Sequence, residues 1–315
     1  MPFTLSHAAA VLPGIRRDGT GRGRLIASAL VAGSFAPDVT YYVATVVPAA
    51  MPFGRVTHSA LGVVTVDVAT TCALVALWVL LREPLLALLP RASWRSRVYA
   101  VVRGEVWQRP GSWASAGWFA LSAAIGSATH VVWDAFTHFD RWGMRILPVL
   151  GEELAGFPLY WYAQYGGSAL ALTGIGWFTV TALRRARPAG VHPPSAHPAS
   201  LHPHGIRPVA DPVLPADAPA HTQATEAPPG LAARQLPVVL GLLTLCTAAV
   251  AAYRCLRWYA FYGDASILGL IPSACFGGGT GLVLGLMAYA VAWRSGRLDR
   301  AESPTVAEDP ARSHR

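Results

Sequence analysis

Charged side chains are scarce in this sequence, and lysine is missing altogether. Only 13% of the 315 residues are charged, while 53% are hydrophobic. That is too little charge and too much apolar side chain for an ordinary soluble domain. The four cysteines, Cys72, Cys246, Cys255 and Cys275, form no CxxC pair, and three lie in apolar runs. They read as small buried hydrophobes, which excludes a disulfide framework and a zinc–thiolate site. A cleavable signal peptide is not evident either. The opening MPFTLSHAAAVLPGIRR places its basic residues after a short apolar run instead of before it.

What the chain does have is long apolar runs. Leu61–Leu81, Trp113–Trp133, Tyr165–Leu183, Leu236–Tyr253 and Ile267–Trp293 each approach or exceed the ~20 residues needed to cross a bilayer. A sixth, Leu25–Val47, is interrupted by Pro37 and Asp38. The expected fold is all-α, a polytopic transmembrane helix bundle of five to six spans, multi-pass in the cell membrane. The net charge of +8 is carried by arginine alone. With the N-terminus inside and Leu25–Val47 crossing, 20 Arg fall in inside segments and only Arg55, Arg141, Arg145, Arg254 and Arg257 fall outside. This is the positive-inside bias. It points to membrane lipids as partners and away from nucleic acid.

Residues 184–235 break the apolar pattern. They are rich in Pro and Ala and contain His192, His197, His202, His204 and His221. Such a segment is expected to be a disordered, solvated linker rather than a tight metal site. It divides a transmembrane domain, 1–183, from a C-terminal transmembrane hairpin, 236–294. A polar tail, 295–315, reads as disordered too. FGGGTG at Phe276–Gly281 has no following lysine and no preceding strand. It reads as a helix-packing surface, not a phosphate loop.

Outside the linker and tail only four histidines remain: His7, His58, His130 and His138. The acidic residues inside apolar segments are Asp38, Asp67 and Asp134. Ionisable groups at membrane depth are expensive and mark function by default. His130 and Asp134, four apart, share a helix face. An imidazole nitrogen and a carboxylate oxygen there can reach one cation; alternatively they satisfy each other by a hydrogen bond. His138 continues the stripe. Asp38 follows an apolar helix, and His58 opens the next span with Thr57 as a cap. These four donors, Asp38, His58, His130 and Asp134, fall near the outer ends of their segments. His7 joins them if Thr4–Leu12 and Leu25–Ala36 form an N-terminal helical hairpin that turns at the inner surface. Asp67, nine residues after His58, falls about 180° away on a continuous helix. It is expected to pair elsewhere, orient a ligand, or stay neutral.

The fragments MPFTLSHAAAVLP, GSFAPD, THSALG, THVVWDAFTH and PLYWYAQYGGSALAL occur in this order. Together they resemble the bacterial membrane proteins grouped as domain of unknown function 4184, over Met1–Leu183. That group is similar to the YdjM-type membrane-bound metal-dependent hydrolases. The resemblance implies ligand roles for His7, Asp38, His58, His130 and Asp134, and places Thr137 at the last motif position. Where D-x-D-H is expected this chain reads DVTY, and where H-R-G is expected it reads FGR. The reduced donor set implies one divalent cation in place of a two-metal clamp.

Functional expectations follow from three different classes. One is an integral-membrane metal-dependent hydrolase acting on an amphiphilic (phospho)ester at the bilayer surface. Zinc or manganese suits the mixed N/O donors, Asp134 or Asp38 acts as base, and Arg55, Arg141 or Arg145 neutralises an anionic headgroup. Asp67, Thr137 and His138 would support the ligands. The other is a non-catalytic membrane protein with a structural metal or a hydrogen-bonded polar cluster. A transporter using Asp67 and Asp134 is a third expectation.

Overall fold

The computed structural model of the chain describes residues 3–89, 92–102, 113–139, 141–186, 229–263 and 267–299. Most of the linker and nearly all of the tail expected from the sequence lie outside the described residues.

The chain opens with a 3-10 helix, Thr4–Gly14, which is long for a form usually limited to three or four residues. It turns through Arg16 N–H, which donates to the Thr20 carbonyl at 2.7 Å, and an Ile15–Gly21 bridge. It then returns as helix α1 (Ala27–Gly33). Val11, Ile15 and Leu30 form the apolar seam of this hairpin. Leu25–Val47 does not continue as one span. Pro37 has no N–H with which to extend α1. The chain passes instead through a 3-10 turn, Ala36–Asp38, into the short α2 (Val39–Val43) and a second 3-10 helix, Pro48–Phe53.

Helix α3 (Gly54–Thr57) ends at His58. Ser59, not Thr57, caps α4 (Ala60–Val64), accepting from Gly62 N–H at 3.0 Å. Thr57 Oγ1 donates instead to the Pro37 carbonyl at 2.8 Å, tying α3 to the turn that holds Asp38. Thr65, with φ −125° and ψ −83°, separates α4 from α5 (Val66–Ala87). His58 and Asp67 therefore do not share a continuous helix, and the angular estimate between them does not hold.

The remaining helices among the described residues are α6 (Ala92–Val102), α7 (Trp113–Thr137), α8 (Trp142–Ile146), a 3-10 helix at Pro148–Gly151, α9 (Leu159–Arg185), α10 (Leu236–Tyr262) and α11 (Ile267–Arg294). A two-residue antiparallel pair, β1 (Glu153–Leu154) with β2 (Phe157–Pro158), is the one sheet among the described residues. Four helices are long and apolar enough to cross a membrane: α5, α9, α10, and α11 over Gly269–Arg294. Helix α7 has the length, at 25 residues, but is not among them. Its Ser, Gly, Thr, His and Asp residues lower its hydropathy because they are kept for an inward face.

That face decides the architecture. Ser122, Ala123, Gly126, Ser127, His130, Asp134 and Thr137 form one buried stripe along α7. Small residues on it let α1 approach closely. A Cβ on Gly126 would lie 2.8 Å from the Ser34 nitrogen, and one on Gly33 would lie 3.0 Å from Ala123 Cα. FGGGTG plays the same part in the C-terminal hairpin: a Cβ on Gly277 would lie 2.8 Å from the Val250 carbonyl oxygen of α10. Cys72 departs from its expected burial, because it sits on the exposed face of α5 that a bilayer would cover.

The hairpin of α10 and α11 packs on α5 through Leu81, Leu243, Leu286, Tyr289 and Trp293. Pro84 inside α5 leaves the Leu80 carbonyl without its helical partner, and Arg294 Nη2 donates to that carbonyl at 2.8 Å. Arg82, Arg184, Arg185 and Arg294 thus mark one end of the bundle, near the C-terminal ends of α5, α9 and α11. His130 and Asp134 lie toward the opposite end.

Candidate metal centre

Four separate segments deliver the polar side chains. The 3-10 helix Thr4–Gly14 carries His7, the turn Ala36–Asp38 carries Asp38, α3 ends at His58, and α7 carries His130 and Asp134. The side chains of His7, His58, His130, Asp38 and Asp134 are all nearly or fully buried.

Asp38, His58, His130 and Asp134 each offer a ligand atom, and these atoms lie within 4.8 Å of one another. His130 Nε2 is 3.4 Å from Asp38 Oδ1 and 3.4 Å from Asp134 Oδ2. His58 Nε2 is 3.8 Å from Asp38 Oδ1 and 3.5 Å from Asp134 Oδ2. These separations exceed the ~2.7–2.9 Å of a charge-assisted hydrogen bond. Ligand atoms that share one cation at ~2.0–2.2 Å each stand apart by distances of this order.

The far side of each ring explains the near side. His130 Nδ1 lies 2.7 Å from the Ser34 carbonyl, and His58 Nδ1 lies 2.9 Å from the Gly54 carbonyl. A carbonyl oxygen only accepts, so Nδ1 carries the proton in both rings. Each Nε2 then points at carboxylate oxygens, and neither His58 Nε2, His130 Nε2 nor Asp38 Oδ1 has a hydrogen-bond partner among the described residues. Imidazole nitrogens and carboxylate oxygens facing one another at this depth need a cation or protons between them. The backbone carbonyl behind each imidazole is the outer support usual for metal-ligating histidine.

His7 stacks on His130, with ring centroids 3.6 Å apart and planes 14° from parallel. Its Nε2 lies 3.5 Å from Asp134 Oδ1, on the other oxygen from the one facing His58 and His130. The hairpin therefore brings His7 to the cluster, beside the four-donor group and not within it. His138 Nδ1 lies 3.6 Å from the same Asp134 oxygen, and its Nε2 is 3.4 Å from Gln164 Nε2. Thr137 directs its hydroxyl to the Trp133 carbonyl, at 3.1 Å. Asp67 accepts from Ser127 Oγ, one turn below His130 on α7.

Sequence reasoning missed several supports. Thr4 Oγ1 donates to Asp38 Oδ2 at 2.6 Å, fixing the carboxylate so that Oδ1 faces the imidazoles. The Ser34 and Gly54 carbonyls carry no side-chain signal. The Tyr41 ring centroid is 5.8 Å from that of His58, and Arg141 acts electrostatically on both Tyr41 and His138.

A helical chain with membrane-length apolar helices and a buried Asp–His–His–Asp cluster able to hold a metal ion is the class this fold and site define. The chain belongs to the family described as "Domain of unknown function (DUF4184)", which matches residues 1–291. The match extends beyond Leu183 and takes in the C-terminal hairpin. No curated protein and no solved structure matches the chain.

Proposed function

We propose that this protein is an integral-membrane metal-dependent hydrolase that acts on an amphiphilic phosphoester or ester at the bilayer surface, resembling the YdjM-type membrane-bound hydrolases of bacteria. The observation that carries the reading is the pair of imidazoles whose Nδ1 atoms are tied to backbone carbonyls while both Nε2 atoms face two carboxylates at 3.4–3.8 Å. Helix α7 counts as a fifth crossing in this reading, its polar stripe hidden by α1 and α5.

Asp38, His58, His130 and Asp134 would hold one zinc or manganese ion, with His7 beside them on the outer oxygen of Asp134. The bound ion would supply Lewis acidity and a more acidic water. Asp38 has one oxygen locked by Thr4 and is fully buried, so it serves as a fixed ligand. Asp134 is the better base, because Oδ1 faces His7 and His138 and can pass a proton to either imidazole. Arg141 would receive the anionic group of the substrate, with the Tyr41 hydroxyl beside it. Arg55 and Arg145, both exposed, would draw anionic headgroups toward that face.

One observation favours a structural role instead. The donors come from four segments, so an ion here would cross-link them whether or not it turned over substrate. Hydrolysis of lipid phosphoester and carboxylester reporters separates the two. The enzyme reading requires turnover that is lost with chelator, restored by zinc or manganese, and absent in His130→Ala. Stoichiometric metal with no turnover of any reporter supports the structural reading.

A further inference from the structure

A cavity of about 540 Å³ lies between the N-terminal 3-10 helix, α1, α5, α6 and α9. It is distinct from the His/Asp cluster and does not depend on the reading given to that cluster. The volume falls within the ~300–1,000 Å³ of small-molecule sites. Along α1 and the residues flanking it, the lining runs from Ile26 to Phe35, a length of about 13 Å. Val31, Trp78 and Phe178 typify the apolar walls, and Arg82 is the one charged residue that lines it.

Arg82 Nε is buried and has no hydrogen-bond partner among the described residues. A guanidinium nitrogen held without an acceptor beside an apolar cavity calls for an anion. The loop Gly19–Thr20–Gly21 forms part of the same lining. Arg16 Nη1 is fastened to it through the Gly21 carbonyl at 2.9 Å. The acid of that loop, Asp18, is turned onto its own backbone, accepting from Thr20 N–H at 2.9 Å and Thr20 Oγ1 at 2.7 Å. Glu83, next to Arg82, does not line the cavity. The local balance at this end is positive.

Two tryptophans locate this end relative to a bilayer. The Arg17 guanidinium lies 5.6 Å from the centre of the Trp177 ring, and that of Arg24 lies 5.8 Å from the Trp118 ring. Trp with Arg over its face is the composition of a membrane–water interface. The cavity therefore has a polar, positively charged end at headgroup level and an apolar body at the depth of acyl chains.

We infer that this cavity is a binding site for an anionic phospholipid of the leaflet at the arginine-rich end, with one acyl chain between α1, α5 and α9 and the phosphate at Arg82. A free phosphate would leave the apolar walls uncovered, and a zwitterionic lipid would bring a cation toward Arg82.

The test uses the full chain in detergent micelles, titrated with phosphatidylglycerol or phosphatidylcholine brominated on the acyl chains. Bromine quenches tryptophan only on contact, and the difference between wild type and Trp78→Phe isolates the cavity signal. Phosphatidylglycerol should half-saturate that signal at a concentration about fivefold lower than phosphatidylcholine, as expected for one arginine at an anionic headgroup. Arg82→Gln should remove the preference, and Val31→Phe should remove the quenching itself. Glycerol phosphate, offered as the soluble headgroup alone, should not displace the lipid. Thermal unfolding confirms that each variant is folded, and mass spectrometry of lipids retained by the wild type reads the same preference without any substitution. Equal quenching by the two lipids overturns the inference. So does a preference that survives Arg82→Gln, displacement by glycerol phosphate, or wild-type protein that retains no anionic lipid.

Discussion

His7 stacks face to face on His130, with ring centroids 3.6 Å apart, although one lies at the start of the chain and the other near the end of α7. The hairpin of the N-terminal 3-10 helix and α1 produces this contact. It places the His7 Nε2 on the oxygen of Asp134 that His58 and His130 leave alone.

Purified protein should therefore carry about one equivalent of zinc or manganese per chain, held by four protein donors. Elemental analysis of His130→Ala and Asp134→Ala should find about a tenth of that or less, while His7→Ala should retain more, since His7 lies outside the tightest group. Acidification should release the ion, because protons compete for the same Nε2 atoms.

Thr4 governs the orientation of Asp38 through a hydrogen bond of 2.6 Å. Thr4→Val should weaken metal affinity about 10- to 100-fold, the usual cost of losing an outer partner of a ligand. Thr4→Ser keeps the hydroxyl and should restore most of it. Competition with a chromogenic chelator measures both.

The close approach of α1 to α7 should couple stability to the site. Gly126→Ala places a Cβ 2.8 Å from the Ser34 nitrogen. Overpacking of this kind costs about 1–3 kcal/mol. It should also lower metal content, because α1 leads into Ser34, whose carbonyl holds His130. Gly117→Ala, on the same helix with nothing within 4 Å, is the control and should lower neither.

The C-terminal hairpin should act as a clamp on the segment after Asp38. Arg254 donates to the Tyr41 carbonyl at 2.5 Å and to Thr45 Oγ1, and Thr280 donates to the Tyr42 carbonyl at 2.9 Å. Arg254→Met should lower thermal stability by about 1–3 kcal/mol, the loss expected for hydrogen bonds to a charged group. Its effect on metal affinity should be smaller than that of Thr4→Val.

Asp67 separates transport from the proposed chemistry. Its Oδ2 accepts from Ser127 Oγ, and Asp67 is not one of the four residues whose ligand atoms group together. Asp67→Asn should leave metal content within about twofold of wild type, because it removes no ligand. Loss of ion-driven uptake into vesicles on the same substitution would instead favour a transporter.

The sequence by itself determined the class of protein. Apolar runs of membrane length, arginines gathered at one set of segment ends, and His and Asp inside or beside apolar segments are local properties. Helical period alone puts His130, Asp134 and His138 on one stripe, and the motif fragments carry the family resemblance. Tertiary structure alone decided the rest. Thr65 broke the helix between His58 and Asp67, Pro37 ended a supposed span, and the inward face of α7 kept it from reading as a simple crossing. Nothing in the residue types marks Ser34 and Gly54 as the carbonyls that set the histidine tautomers, since every residue has a carbonyl and only long-range packing selects which one is used. The same holds for Thr4 with Asp38 and for His7 with His130. Periodicity reports which face a residue occupies, whereas the partner on that face is chosen by which helices the small residues allow to touch.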